Sequence, residues 1–197
     1  MKYLFIDSAT TNLVVAIINE GKISYIYNNN EGHDTSSKMM PILAEAFDQA
    51  NLKPRDINKI FVVTGPGSFT GIRVGLTVCK TMAYALNIPI IPISSLEVMT
   101  SGESGTSLIN ARRGYVFAGT YDSDLNILYP DSYVFMNESL KKPYISYDTF
   151  DFETLKPKID ILKVIKKHEK DNPVNPHSIK PNYLKMTEAE ENLLKHD

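Results

Sequence analysis

The sequence holds a single cysteine, Cys79, so no intrachain disulfide framework exists and a reducing compartment is the expected setting. Positive charge is not in excess either. Lysine and arginine number 21 against 23 aspartates and glutamates, and the formal net charge of −2 gives no global field that would draw the chain onto nucleic acid or an acidic membrane. No apolar run approaches the length needed to span a bilayer. The apolar stretch after Lys2 is ended by Asp7, which is too short for a secretory signal and reads as a first strand. The expected location is the cytoplasm. Repeats and low-complexity segments are also missing, which sets aside solenoids and disordered tails.

What is present is ordinary globular material: 43% hydrophobic and 22% charged residues over 197 positions, enough to bury a substantial core. The first thirty residues predict three strands, "KYLFIDSA", "LVVAIIN" and "ISYIY", joined by the short turns "TTN" and "EGK". Connections that short require antiparallel neighbours. The pattern then takes a helical period, with Met39, Ile42, Leu43, Ala46, Phe47 and Ala50 on one face and Ser36 or Ser37 as the N-cap. "KIFVV" lacks alternation, as a buried parallel strand does. A helix to about Leu86 follows, then the strand "IPIIPIS", placed at an edge by Pro89 and Pro92, and a short helix "SLEVM". "LINARRGYVFAGTYDSDLNILY" predicts two or three more strands, "PKIDILKVIKKHEK" an amphipathic helix and "TEAEENLLKHD" a terminal helix or tail. The order β-β-β-α-β-α-β belongs to α/β proteins of the actin-like ATPase (ribonuclease H-like) fold, a mixed sheet flanked by helices. We place a lobe boundary in "TSGESGTS". This gives an N-terminal lobe over 1–101 and a smaller, reduced C-terminal lobe with a tail over 102–197.

The run "GPGSFTGIRVGL", Gly65 to Leu76, carries the main functional question. Its strand-to-helix position suits a phosphate loop, since free amides at a helix N-terminus favour an anion. A Walker Lys-Ser or Lys-Thr pair is missing, however, and Gly65, Gly67 and Gly71 form only a loose GxGxxxG with no acidic residue closing the next strand. Pro66-Gly67 fits a turn, Ser68 or Thr70 a helix cap, and Phe69 a core anchor. Gly71 and Gly75 lie inside the helix, where each costs about 1 kcal/mol against alanine. Four apart, they strip one helix face down to backbone. That face continues through Val78 and Met82, beside a core stripe of Ile72, Leu76, Cys79, Ala83 and Leu86. Close packing within the chain and contact with a protein partner both account for it.

Here the residues resemble a known family. "GPGSFTGIRVGL" after a strand, "IDSATT" near the start, "NARRGYVFAGTY" and the closing "KPNYLK" are similar to the TsaB (YeaZ) family of bacterial tRNA threonylcarbamoyladenosine biosynthesis proteins. The likeness is strongest over residues 1 to about 121. It implies a two-lobed actin-like protein that is not itself an enzyme. Such a protein supports TsaD, the metal-bearing paralogue that transfers the threonylcarbamoyl group to the adenosine next to the tRNA anticodon, with the ATPase TsaE joining the assembly. The helices corresponding to Ser37–Asn51 and Ser68–Asn87 would pair with TsaD or with a second copy, and tRNA would be met through the complex. The expected partner-binding residues are Met39, Leu43, Phe47, Gly71, Arg73, Gly75, Val78 and Met82. No resident cofactor is implied, with ATP or ADP at the joint with TsaD as the alternative.

The remaining candidates are weighed on the same terms. TsaD holds its metal with two histidines four apart, but four residues after His33 stands Ser37, so no metal site is expected. His168, His177 and His196 have no partner at ligand spacing in the sequence. Asp7 falls where active actin-like enzymes keep a magnesium-associated carboxylate, yet "DSATTN" lacks the glycine that would let a hairpin wrap phosphates. A nucleotide or loop site, if built, would use Asp7, Ser8, Thr10, Gly65, Gly67, Ser68 and Thr70; the structural alternative is that Asp7 satisfies turn amides. Cys79 reads as a buried thiol, and no Gly-x-Ser-x-Gly elbow is present. Asn110 and Tyr115 stand where the family usually carries acids. The lysines at 156, 158, 163, 166, 167 and 170 suit either RNA contact or a solvated helix face. Two function classes follow: a catalytically silent binding subunit, and an ATP-dependent phosphotransferase or hydrolase of the same fold.

Overall fold

The computed structural model describes residues 1–29, 34–136 and 140–185. Its strands are β1 (Lys2–Asp7), β2 (Leu13–Asn19), β3 (Lys22–Asn29), β4 (Lys59–Gly65), β5 (Ile90–Ser94), β6 (Gly105–Asn110), β7 (Tyr115–Tyr121), β8 (Ile127–Phe135) and β9 (Tyr144–Ile145). The helices are α1 (Thr35–Gln49), α2 (Phe69–Leu86), α3 (Ser95–Met99) and α4 (Ile161–His168). The first sheet runs β3-β2-β1-β4-β5, with β1 antiparallel to β2 and parallel to β4. That order and polarity are those of the ribonuclease H-like and actin-like folds, as the element order predicts. β5 lies at the edge, where its prolines can be tolerated. The second sheet is smaller, in the order β8-β7-β6-β9.

Both faces of the first sheet are buried, which is why its strands read as continuous apolar runs. Leu4, Ile6, Val15, Ile17, Ile60 and Val62 point to one side and pack against α1 and α2. Phe5, Val14, Ala16, Ile18, Phe61 and Val63 point to the other side, where Ile161, Val164 and Ile165 of α4 cover them. The chain therefore crosses to the second sheet after α3 and returns to the first with α4. It continues along α2: Val174 pairs with Ile90, Ile179 enters the core beside Cys79 and Ala83, and the Asn182 N–H donates to the Thr64 carbonyl.

α2 is capped as its sequence predicts, with Ser68 Oγ accepting from the Gly71 N–H and Asn87 in the left-handed conformation at the C-terminal end. α1 differs from expectation. It starts at Thr35 after a left-handed Asp34, so Ser36 and Ser37 are helical rather than caps, and the Ser37 hydroxyl donates to the Asp34 carbonyl. His33, His196 and the expected terminal helix in "TEAEENLLKHD" lie outside the described residues.

The two helical glycines of α2 are explained here. A Cβ on Gly71 would stand 2.0 Å from the Ser8 carbonyl oxygen, and one on Gly75 would stand 2.3 Å from Ser8 Oγ and 3.3 Å from Ile6. On an open helix face Gly71→Ala would stabilise by about 1 kcal/mol. Against a backbone carbonyl it forces a shift, and overpacking of this kind costs about 1–3 kcal/mol. Urea denaturation of Gly71→Ala should therefore show a net loss of stability; a gain would mean that the helix does not sit on the first turn.

Candidate functional site

The turn after β1 and the corner before α2 are locked together. The Ser8 hydroxyl donates to the Gly71 carbonyl at 2.8 Å, and the Ser68 N–H donates to the Ala9 carbonyl at 2.6 Å. Gly67 presses on Ala9 so closely that a Cβ would lie 1.9 Å from the Ala9 carbonyl oxygen, with Gly67 at a φ of 150°. Gly65, at a φ of 116°, is closed from the other side by the Asn182 carbonyl. A phosphate loop needs free amides at this corner. Here the Ser68 amide is spent on Ala9 and the Gly71 amide on the Ser68 side chain.

Beneath this lock Asp7 is buried, and its carboxylate accepts one hydrogen bond, from the Ala9 N–H at 2.9 Å. Burial pushes its pKa up to about 7, against the opposing pull of that hydrogen bond. Asp7 therefore satisfies a turn amide, as its structural reading predicts. Asn12 lies in the same buried set, donating from its side-chain amide to the Tyr147 hydroxyl at 2.9 Å. Cys79 is fully buried, and burial raises its thiol far above the range in which a thiolate forms.

A cleft of about 450 Å³ opens between the two sheets, lined by Thr10, Thr11, Gly67, Ser68, Asn110, Arg112, Tyr147 and Asp148 among others. Of the residues expected at a nucleotide or loop site, only Thr10, Gly67 and Ser68 reach it. Asp7 and Ser8 are buried below, Gly65 is covered by the tail, and Thr70 faces a different surface. Tyr147 and Asp148 carry no motif and lie far from Thr10 along the chain; the fold brings them together.

That different surface is an apolar groove between α1 and α2, about 480 Å³, lined by Met39, Met40, Phe69, Arg73, Val74, Thr77 and Val78 among others. Met40 is 58% exposed and Phe69 53%, large values for apolar side chains on a helical face. Phe69 is therefore a surface residue rather than the core anchor expected of it. The Arg73 guanidinium lies 3.8 Å over the Phe69 ring and bonds the Tyr183 hydroxyl, while Tyr183 stacks on Phe69. The C-terminal segment thus holds two of the groove's lining side chains through Tyr183.

Three comparisons can now be set against this geometry. The family model described as TsaD, tRNA N6-adenosine threonylcarbamoyltransferase, matches residues 30–164. The chain belongs to the family that this model describes. The tRNA threonylcarbamoyladenosine biosynthesis protein TsaB of Bacillus subtilis (strain 168) is 34% identical over 149 residues, covering 72% of this chain and 65% of that protein. TsaB of Escherichia coli (strain K12) is 28% identical over 155 residues, covering 75% of this chain and 65% of that protein. The chain thus matches just under two thirds of the length of these curated relatives. In three dimensions it resembles YeaZ from Pseudomonas aeruginosa with a TM-score of 0.78 at 19% identity, over 93% of this chain and 99% of that one.

The expected partner-binding residues divide between the core and the groove. Met39, Leu43 and Phe47 belong to the core under α1, although an edge of Met39 reaches the groove. Gly71 and Gly75 are covered by Ser8 and Ile6, so the backbone-bare stripe serves the chain's own packing. Arg73 and Val78 do line the groove, and Met82 packs half-buried against the core. Period alone could not separate the two sides of α2, because both are apolar.

His168 also departs from expectation. It bridges two carboxylates, Glu97 at 2.7 Å and Asp171 at 2.6 Å, and ties the end of α4 to α3. Burial alone would lower its pKa, but the bonds to Glu97 and Asp171 hold it above the usual value. Among the described residues no group of three or more His, Cys, Asp or Glu is placed to hold a metal ion. The C-terminal lysines are partly engaged: Lys163 donates to the Ser101 carbonyl, Lys167 to Asn126 and Lys156 to the Tyr147 carbonyl. No described helix is long and apolar enough to cross a membrane.

Asp7 yields a pH prediction. Its folded pKa of about 7 stands above the value of 3.8 for a free side chain, so its favourable term is complete below pH ~4 and is lost as the pH rises through about 7. His168 acts in the same direction, so the wild-type slope cannot be assigned to either residue alone. Asp7→Asn keeps the bond to the Ala9 amide and removes the buried charge. Its stability relative to wild type should rise between about pH 4 and 7 by a few kcal/mol in urea melts and level off above that, and a difference that does not change with pH would contradict the burial of Asp7.

Proposed function

We propose that this chain is a non-catalytic subunit of tRNA threonylcarbamoyladenosine biosynthesis that docks TsaD through the groove between α1 and α2 and leaves the chemistry to it. The observation that carries the reading is the exposure of Met40 and Phe69 beside Val74 and Val78 on two adjacent helices of the better-matched part of the chain. An aliphatic and aromatic groove of this kind, edged by Arg73, suits a partner's helices, whose apolar side chains would displace water from it. The same face also suits a second copy, and the two pairings would compete. TsaE would join the assembled pair, and tRNA would meet the complex rather than this groove. The expected setting is the cytoplasm.

The loss of catalysis is part of the proposal. Two of the corner amides, those of Ser68 and Gly71, are bonded within the chain and Asp7 is buried beneath them, which argues against a Mg-ATP cradle on the first turn. Support for TsaD then comes from binding one of its conformations better than another, and a preference of a few kcal/mol is sufficient.

Co-elution with TsaD tests the surface. Met40→Glu combined with Thr77→Glu places two charges in the groove at positions whose side chains are largely solvent-facing, so the fold should survive while co-elution is lost. Gly75 is unsuitable for this purpose, since a side chain there strikes Ser8. Retained co-elution in the double variant would move the docking site elsewhere. Calorimetry with magnesium and ATP on the chain alone addresses the phosphotransferase alternative: absence of heat is expected, and binding with turnover would replace the present reading.

A further inference from the structure

The hairpin of β7 and β8 presents a second unusual surface. Tyr115, Phe117, Tyr133 and Phe135 share one face of the sheet, because Tyr115 lies opposite Phe135 and Phe117 opposite Tyr133 in the strand register. Their rings form one continuous row. Phe135 meets Tyr115 edge-on at 5.4 Å, Tyr115 stacks parallel on Tyr133 at 4.8 Å, and Tyr133 leans on Phe117 at 5.6 Å. Phe135 is 57% exposed and Tyr115 37%, whereas the same sheet's opposite face is closed by Leu108, Val116, Ala118, Leu140 and Tyr144.

The chain builds this row deliberately at its open end. Gly114 takes a φ of 78°, and a Cβ there would meet the Phe135 ring at 2.7 Å, so the ring packs against the turn. Arg112 and Arg113 precede it, both with left-handed backbone, and neither pairs with a carboxylate among the described residues. At the other flank the Lys185 ammonium lies 5.3 Å over the Tyr133 ring. Of the nearby acids, Asp131 accepts from Ser94 and Tyr121, and Asp148, which lines the cleft with Arg112, accepts from the Asn110 amide. The row leads into the cleft, since Phe117 and Arg112 also line it.

Four aromatic rings on one sheet face with free cations around them match what unpaired bases need. Each base offers a flat face to stack and a phosphate to neutralise. We propose that the aromatic face of β7–β8, with Arg112, Arg113 and Lys185, is a stacking platform for a short single-stranded RNA segment. Bases lie on Tyr115 and Phe135, the arginines meet the flanking phosphates, and Lys185 leaves Tyr133 to pair with a phosphate as a base approaches. The choice of RNA rests on the tRNA-modification reading above. The net charge of −2 is small, and Lys185 stands over one ring while Arg112 and Arg113 lie in the turn beside Tyr115. The exposed aliphatics of β8, Ile127 and Leu128, lie at the far end of the strand, so the row itself offers ring faces alone.

Fluorescence anisotropy of a labelled seven-nucleotide single-stranded RNA, titrated with the full chain, tests the platform. Tyr115→Leu combined with Phe135→Leu keeps the apolar area and removes the π faces, and should weaken binding about tenfold or more. Arg112→Gln with Arg113→Gln should weaken it too, and should flatten the slope of log affinity against log salt by about 1.4 for two lost phosphate contacts. A fully paired RNA duplex should bind more weakly than the single strand. Undetectable binding by the wild type, equal affinity of the leucine variant, or duplex binding as tight as single-strand binding would each overturn the proposal. So would a leucine variant that changes self-association in sedimentation while leaving RNA affinity intact, since that marks an interface between copies. If the leucine pair fails to melt cooperatively, Arg113→Gln with Lys185→Gln gives the same reading without touching the rings. Co-elution of each variant with TsaD is measured in parallel. Docking lost with RNA binding kept faults the α1–α2 reading, and RNA binding unaffected with docking kept faults only the platform.

Discussion

The contact of Ser8 and Ala9 with the glycines of α2 is the constraint on which the rest of the structure depends. Two backbone carbonyls and a serine hydroxyl occupy the space that side chains at 67, 71 and 75 would fill. This brings the helix down onto the end of β1, spends the corner amides on the chain itself and buries Asp7 with one hydrogen-bond donor. A loop with the sequence look of a phosphate cradle is thereby made into a joint. The cost is two helical glycines and a carboxylate held near neutral pKa, and it is met by the packing of both sheet faces.

With that joint made, each side of α2 has an assignment. Leu76, Cys79 and Ala83 face the sheet, Gly71 and Gly75 face the first turn, and Lys80 and Tyr84 meet the returning tail through the Ile179 carbonyl and the His177 ring. What is left is the side toward α1, where Val74, Thr77 and Val78 stand beside Met40. The tail bears on the proposed surface as well, because Tyr183 stacks on Phe69 and bonds Arg73. The two proposed surfaces are separate in space: the groove on one face of the first sheet, and the aromatic row on the second sheet.

Much of this was legible in the sequence, and the reasons differ from residue to residue. The three opening strands, α2 with its Ser68 cap, and the β5 edge follow from period and from glycine and proline chemistry, which act locally. The family could be read because "GPGSFTGIRVGL" is long and specific. The use of Gly71 and Gly75 could not be read, since a backbone-bare helix stripe looks the same whether a loop of the same chain or another protein fills it. Met39, Leu43 and Phe47 cannot be assigned to a partner or to the core from period, because a helix on a two-sided sheet has a wide apolar arc; in the structure they are buried while Met40 is exposed. Pairings across long separations, such as His168 with Glu97 or Asn12 with Tyr147, leave no local pattern at all.

Hydrogen–deuterium exchange of the chain, free and mixed with TsaD, tests the central claim most directly. The account predicts that the Ser8–Asn12 turn and the Ser68 and Gly71 amides are already protected in the free chain, and that TsaD adds protection over 36–45 and 70–81 only. Fast exchange at Ser8–Asn12 in the free chain, slowed by magnesium and ATP, would contradict it.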